Sequence, residues 1–223
     1  RPLMGLFIYL RNTMASGDTK VTIVNQALVL LGSDTISSFS DTTNDAARVA
    51  DSIYETIKGK TLSLYPWSFA LVKEQLARST ATPVNEWTYL YPLPSTAVSG
   101  TALQVYNSSS TRVLPIQNYE LVYTSSGPAI ATNEDKIYID YISSVVSEGL
   151  MPNYFVQLLV YMLAWHLAEP VTDQITKAEY WRGVALGSLT ENGRGGYFRQ
   201  ACNIDGRGKP NYAIVDFPLT DVR

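Results

Sequence analysis

Ile23-Val24-Asn25-Gln26-Ala27-Leu28-Val29-Leu30-Leu31-Gly32-Ser33-Asp34-Thr35-Ile36 sets the pattern for the rest of the chain. Val24, Ala27, Leu28 and Leu31 stand at i, i+3, i+4 and i+7, which gathers them into one apolar stripe on a helix. Gly32 follows where a left-handed C-terminal cap is wanted. Further on, Thr42 with Asp45 three residues later fits a capping box, and Asp41 adds negative charge at the same helix start. Ala46, Ala50, Ile53, Ile57 and Leu64 supply the buried side of a second helix. Pro66 ends it by disfavouring helical geometry at Tyr65. The spacing predicts helix one near 19–31 and helix two near 43–64. Polar Ser and Thr residues with Gly32 connect them, in a segment short enough for antiparallel neighbours.

From Val72 to Val146 the signals change to strands and turns. Candidate strands are Trp87–Tyr91, Ala102–Tyr106, Tyr119–Tyr123, Ala129–Ala131 and Lys136–Ile142, separated by pieces such as Pro92-Leu93-Pro94-Ser95 and Asn107-Ser108-Ser109-Ser110. Alternation in the last of them puts Ile137, Ile139 and Tyr141 on one face, the pattern of a half-buried strand. Helix three begins near Pro152, a favoured first-turn residue. Phe155, Leu158, Leu159, Val160, Met162, Leu163, Trp165 and Leu167 make it apolar nearly all round, so it belongs at the centre of a bundle. Pro170 is expected to break it, with Thr172 or Asp173 capping helix four, where Ile175, Ala178, Trp181, Ala185 and Leu189 recur on one side.

After Glu191 the character shifts again. Gly193, Gly195, Gly196, Gly206 and Gly208 are scattered among Arg194, Arg199, Arg207 and Lys209, with aromatic islands at Tyr197-Phe198, Tyr212 and Phe217. This composition predicts an extended arm rather than a packed element. The Gly-Arg pieces are not phosphate loops, because neither carries the Lys-Ser/Thr ending, and flexible linker is the expected role. The fold class expected from all this is α+β: an antiparallel four-helix bundle with a β-rich insertion between helices two and three and an extended C-terminal arm. Its parts are a leader at 1–13 ahead of Met14-Ala15-Ser16, a bundle at 14–71 and 147–191, the insertion at 72–146 and the arm at 192–223.

Composition narrows the chemistry. The 223 residues include 15 Tyr and 4 Trp, while only 17% are charged and the net charge is −3. A protein that grips duplex DNA gains most of its affinity by neutralising phosphates with Lys and Arg, and that surplus is missing. Tyrosines in this number suit strands and protein contacts alike. Cys202 stands alone, which excludes an intrachain disulfide or a thiolate metal cluster. Leu3–Leu10 is far short of the ~20 residues that span a bilayer, so no membrane is expected as partner. His166, the only histidine, lies on the most apolar helix and reads as a buried or half-buried bundle residue with one hydrogen bond. The carboxylate pairs Asp41/Asp45 and Glu169/Asp173 sit at expected helix starts, where capping and dipole effects favour acids without catalysis. No catalytic, cofactor or metal site is expected. Trp67 reads as core at the end of helix two.

Several pieces also agree with one family in their order. Asn25-Gln26-Ala27-Leu28 with Leu31-Gly32, then Asp45-Ala46-Ala47-Arg48, then Pro66-Trp67-Ser68-Phe69-Ala70 resemble the tail tubular protein A family, the head-to-tail adaptors of short-tailed bacteriophages. Tyr91-Pro92-Leu93-Pro94-Ser95, Ala129-Ile130-Ala131-Thr132-Asn133 and Ala168-Glu169-Pro170-Val171-Thr172 continue the agreement, which runs from about Val21 to about Leu189. The resemblance implies a packing or hydrogen-bonding role for Asn25 and Gln26 near the second helix, and a structural virion protein, assembled in the host cytoplasm and resident at the head-tail junction. It also implies a dodecameric ring between the portal protein and a nozzle like tail tubular protein B, with DNA passing through unbound. Aromatic side chains beside arginines are what interfaces favour. Tyr197, Phe198, Arg199, Tyr212 and Phe217 are therefore the candidate partner-binding residues, with the portal or an adjacent subunit as implied partner. The arm carrying them is expected to order on assembly. The alternative reading is a virion-associated glycan hydrolase built on the carboxylate pairs.

Overall fold

The computed structural model describes residues 17–41, 44–83, 86–110 and 114–207. Within them five α-helices and six strands form a helical block and a β block. Helices α1 (Lys20–Leu31) and α2 (Asp45–Ser63) come first, then strands β1 (Leu71–Gln75), β2 (Tyr89–Pro92), β3 (Gln104–Tyr106), β4 (Tyr119–Thr124), β5 (Gly127–Thr132) and β6 (Tyr138–Ile142). Helices α3 (Asn153–Thr172), α4 (Ile175–Leu186) and α5 (Gly196–Arg207) complete the described residues. The expected four-helix bundle is therefore wrong: the described fold has five helices and two three-stranded antiparallel sheets.

The first helix forms where its stripe places it. Thr19 accepts the Thr22 N–H at its start, and Gly32 ends it in the left-handed conformation at φ 71°. Ile23, Val24, Ala27, Leu28 and Leu31 are all buried. Asn25 reaches the α1–α2 connection rather than α2 itself. Its amide donates to the Ile36 carbonyl at 2.9 Å, and its carbonyl accepts the Ile36 N–H at 2.8 Å. At the start of α2 the cap is Asn44, whose side chain accepts from Ala46 and Ala47 N–H. The expected Thr42 cap lies outside the described residues. Leu64 is exposed rather than buried, while Leu62 and Tyr54 take the inward positions.

Helix α3 is the axis of the helical block, in contact with α1, α2, α4 and α5. Of its eight expected core residues, seven are buried and Trp165 is half-buried. Pro170 does not break it. A proline in the last turn removes only one intrahelical donor, and the helix ends three residues later at Asp173, left-handed at φ 51°. Asp173 is thus a C-cap, and Gln174, not Thr172 or Asp173, stands at the start of α4. On α4, Ala178 and Ala185 are buried, whereas Ile175 is exposed and Leu189 lies past the helix end in a short 3-10 turn. Lys177 donates to the Leu31 carbonyl at 2.7 Å, placing a cation at the C-terminus of α1.

The largest correction concerns the expected arm at 192–223, of which residues 208–223 lie outside the described residues. Residues Gly196–Arg207 form α5, packed on α3 and α4. Phe198, Ala201 and Asp205 are buried and Cys202 half-buried, an i, i+3, i+4, i+7 stripe. The glycine run before it is a packed turn, not a linker. Gly196 stands at φ 54°, and a Cβ there would lie 2.6 Å from both the Gly187 nitrogen and the Val184 carbonyl oxygen. Gly195 N–H meanwhile donates to the Leu186 carbonyl at 2.9 Å.

In the β block the orders are β1-β6-β3 and β2-β5-β4. Strand β1, absent from the sequence expectation, pairs with β6, and β4 with β5 forms a hairpin around Ser125-Ser126. Val105, Ile139 and Tyr141 from one sheet pack with Tyr91 and Ile130 from the other, so the sheets share a core of their own. Ile142 belongs instead to the helical core, and Lys58 of α2 holds the returning chain through Glu148 and the Val146 carbonyl, each at 2.8 Å.

Candidate partner-binding surface

Trp67 organises the ground on which the candidate surface stands. It is fully buried, donates its indole N–H to the Thr61 carbonyl at 3.1 Å, and meets Tyr65, Phe69, Tyr154, Phe155 and Phe198. Phe198 lies edge-on to it, with ring centroids 6.2 Å apart. Seven residues along α5, at the end of the same stripe, the buried carboxylate of Asp205 accepts from Ser68 N–H at 3.1 Å, Ser68 hydroxyl at 2.6 Å and Tyr154 hydroxyl at 2.7 Å. Burial, together with that carboxylate, holds the Tyr154 hydroxyl far above the ordinary tyrosine range. Two anchors therefore fix α5: a ring in an aromatic cluster and an acid on the loop that leads into β1.

With α5 fixed, aromatic side chains from three helices meet at the surface. Tyr161 of α3 stacks on Trp181 of α4, centroids 5.7 Å apart and planes 17° from parallel. Tyr197 of α5 meets Tyr161 edge-on at 5.4 Å, and Tyr180 meets Trp181 edge-on at 5.1 Å. Tyr180 is 65% exposed, and the other three are half-buried. The Arg182 guanidinium lies 5.9 Å from the Trp165 ring. Arg199 is exposed, paired with Glu191 at 2.9 Å. Half-buried rings with arginines beside them present a rigid amphipathic surface at small entropy cost.

Of the five expected partner-binding residues, the structure brings Tyr197 to this surface and leaves Arg199 exposed nearby. Phe198 is used in the chain's own core. Tyr212 and Phe217 lie outside the described residues. Tyr161 and Tyr180 are not among the expected residues, and Trp181 was expected only on the recurring side of helix four. One signal was present: Tyr180-Trp181-Arg182 are consecutive on a helix and turn about 100° each, so they cannot all face inward.

The other candidate chemistry resolves locally. His166 is half-buried, with Nδ1 2.8 Å from the Met162 carbonyl one turn back, so Nδ1 carries the donated proton. Burial pushes its pKa down, against the opposing effect of that bond. Asp45 is exposed and paired with Arg48 at 2.8 Å. Asp41 and Asp45 line an open groove of about 540 Å³ with Ser33, Asp34, Pro170 and Val171. Among the described residues no group of His, Cys, Asp or Glu is arranged to hold a metal, and no helix is long and apolar enough to cross a membrane. Compared with known proteins, the chain matches no family model and no curated protein sequence.

Proposed function

We propose that this chain is a structural head-to-tail adaptor of a short-tailed phage virion, assembling as a dodecameric ring between the portal and the tail nozzle and leaving a path for DNA. The observation that carries the reading is the ordered series of resembling pieces from about Val21 to about Leu189. Two of those pieces have defined structural roles: Asn25 ties α1 to the following connection, and Trp67 is the hub on which α5 docks. The aromatic surface of Tyr161, Tyr180, Trp181 and Tyr197 offers the kind of contact that an adaptor between other proteins requires. Negative net charge suits a channel through which DNA slides without being held.

The test is the mass of the purified full chain by light scattering, alone and mixed with purified portal rings. Ring assembly alone or on the portal is the expected result, and Tyr180→Ala should weaken it without loss of folding. A chain that stays monomeric in both conditions overturns the proposal.

A further inference from the structure

The two sheets have four outer strands, and they are not equally covered. On β2, Ser79 N–H donates to the Leu90 carbonyl at 2.7 Å, and on β3, Ile116 N–H donates to the Val105 carbonyl at 2.8 Å. Strand β1 carries Lys73, one of the usual guards of a free edge. Strand β4 has no such protection. It runs Tyr-Glu-Leu-Val-Tyr-Thr without lysine, proline or bulge, and no main-chain bond reaches its outer side from any other described residue.

The register fixes which groups stand on that edge. The Pro128 carbonyl of β5 accepts the Leu93 N–H at 3.0 Å on the β2 side, so Gly127, Ala129 and Ala131 are the β5 residues whose main chain faces β4. Their partners Thr124, Val122 and Glu120 turn inward to meet them, and Tyr119, Leu121 and Tyr123 turn their main-chain groups outward. Alternation sends the side chains of these same three residues to one face. Tyr119 and Leu121 pack there on the core between the sheets, whereas Tyr123 is 74% exposed. On the opposite face Glu120 accepts the Trp87 indole N–H at 2.9 Å, and Val122 packs with the cluster of Leu90, Ala129 and Ala131.

From either end the outward series spells Tyr-Leu-Tyr. A two-fold axis at Leu121 therefore sets Leu121 against Leu121 of a second copy, and Tyr119 against its Tyr123. We propose that β4 is a self-complementary interface at which two copies of this chain pair antiparallel, joining their sheets in the order β2-β5-β4-β4-β5-β2. Each outward residue then donates and accepts a main-chain hydrogen bond. The inner layer runs on from one copy to the other, and the exposed Tyr123 gains the Tyr119 ring of the second copy as its cross-strand neighbour. Charge selects this register. An axis at Glu120 would oppose two carboxylates directly, whereas the axis at Leu121 sets each Glu120 opposite Val122. A two-fold contact closes after two copies, while neighbours in a ring meet head to tail. The pair is thus a state of the free chain, independent of the ring proposed above.

The experiment uses the full chain with Cys202→Ser, treated with oxidised glutathione, carrying Leu121→Cys, Tyr119→Cys with Tyr123→Cys, or Tyr123→Cys alone. Bonded antiparallel partners have Cα atoms about 5.5 Å apart, inside the roughly 4.4–6.8 Å that a disulfide requires. Positions 119 and 123 of one strand lie about 13 Å apart at ~3.3 Å per residue, too far to bridge within a chain. The first two forms should give covalent dimers on a non-reducing gel. Tyr123→Cys alone should not, because its counterpart on the second copy lies the same distance along the strand. Tyr123→Pro removes an outward N–H and spares the pairing with β5. Added to Leu121→Cys, it should lower the dimer yield about tenfold without loss of the cooperative melt. No covalent dimer from either of the first two forms, the outcome if another segment or another protein fills this edge, overturns the assignment. Cross-linking of Tyr123→Cys alone as readily as of the double variant, or an undiminished yield with Tyr123→Pro, overturns it as well.

Discussion

Replacing Asp205 by alanine should release α5 while the rest of the fold survives. The carboxylate is 3% exposed and accepts from the main chain and side chain of Ser68 and from Tyr154. Hydrogen bonds to a charged group contribute about 1.5–3 kcal/mol each. These share one acceptor group, so their losses do not add, and part of the cost is the unpaired Ser68 N–H and Tyr154 hydroxyl left behind. We expect a total near 3–5 kcal/mol, a large share of the about 5–15 kcal/mol that a domain has in hand. Asp205→Asn keeps one acceptor oxygen and the shape, and should cost about 1–2 kcal/mol. Amide hydrogen exchange separates local from global effects. In Asp205→Ala, protection should fall across Gly196–Arg207 while β5 and β6 keep theirs. A cycle with Tyr154→Phe should show coupling of about 0.5–3 kcal/mol. Unchanged protection of α5, together with an unchanged denaturation midpoint, would refute the anchoring role.

Four other outcomes follow from the same packing. Leu159→Asp puts a carboxylate at a fully buried position of α3, costs several kcal/mol, and should abolish cooperative melting in circular dichroism. Glu148 is pushed up by burial but pulled further down by Lys58, its own N–H and Tyr54, so its folded pKa lies below the ordinary value. Its contribution is therefore present above about pH 4.3 and lost as pH falls through the folded pKa, and urea titrations from pH 7 to 3 should show a flatter acid limb for Glu148→Gln. Gly196→Ala meets both a left-handed φ and two backbone atoms, so its melting temperature should drop by the equivalent of at least about 1–3 kcal/mol. Phe198→Ala should cost about 3–5 kcal/mol of stability, whereas Tyr197→Ala should cost far less and register in assembly by light scattering.

What the sequence made legible follows period and capping. Helix one was readable because its stripe is uninterrupted and Gly32 marks its end. Helix three was readable from apolar density, but not its end, because a proline is disruptive only where interior bonds depend on its missing N–H. Strand β1 hid in Leu71-Val72-Lys73-Glu74-Gln75, where only Val72 is even half-buried: an edge strand of this kind shows little alternation. Helix α5 hid for a different reason. Its stripe of Phe198, Ala201, Cys202 and Asp205 has the helical period, but the last member is an acid, and a scale that counts apolar residues scores it as solvent-facing. The partner that makes Asp205 an inward residue, Ser68, is far away in sequence.

That misreading also explains why the expected partner-binding residues do not share one surface. An arm offers every aromatic residue to a partner at once, and on that assumption Tyr197 and Phe198 are equivalent anchors. On a helix, successive side chains diverge by about 100°, so burying one presents the other. Phe198 goes to Trp67, and for that reason Tyr197 reaches the surface beside Tyr161. Asp205, at the far end of the same stripe, fixes the rotation of α5 and therefore which residue faces out. The acid on Ser68 and the ring on Trp67 thus act on the aromatic surface without belonging to it. Any partner that binds Tyr197 also reads whether α5 is seated, because an unseated helix would leave Tyr161 without its edge-on neighbour.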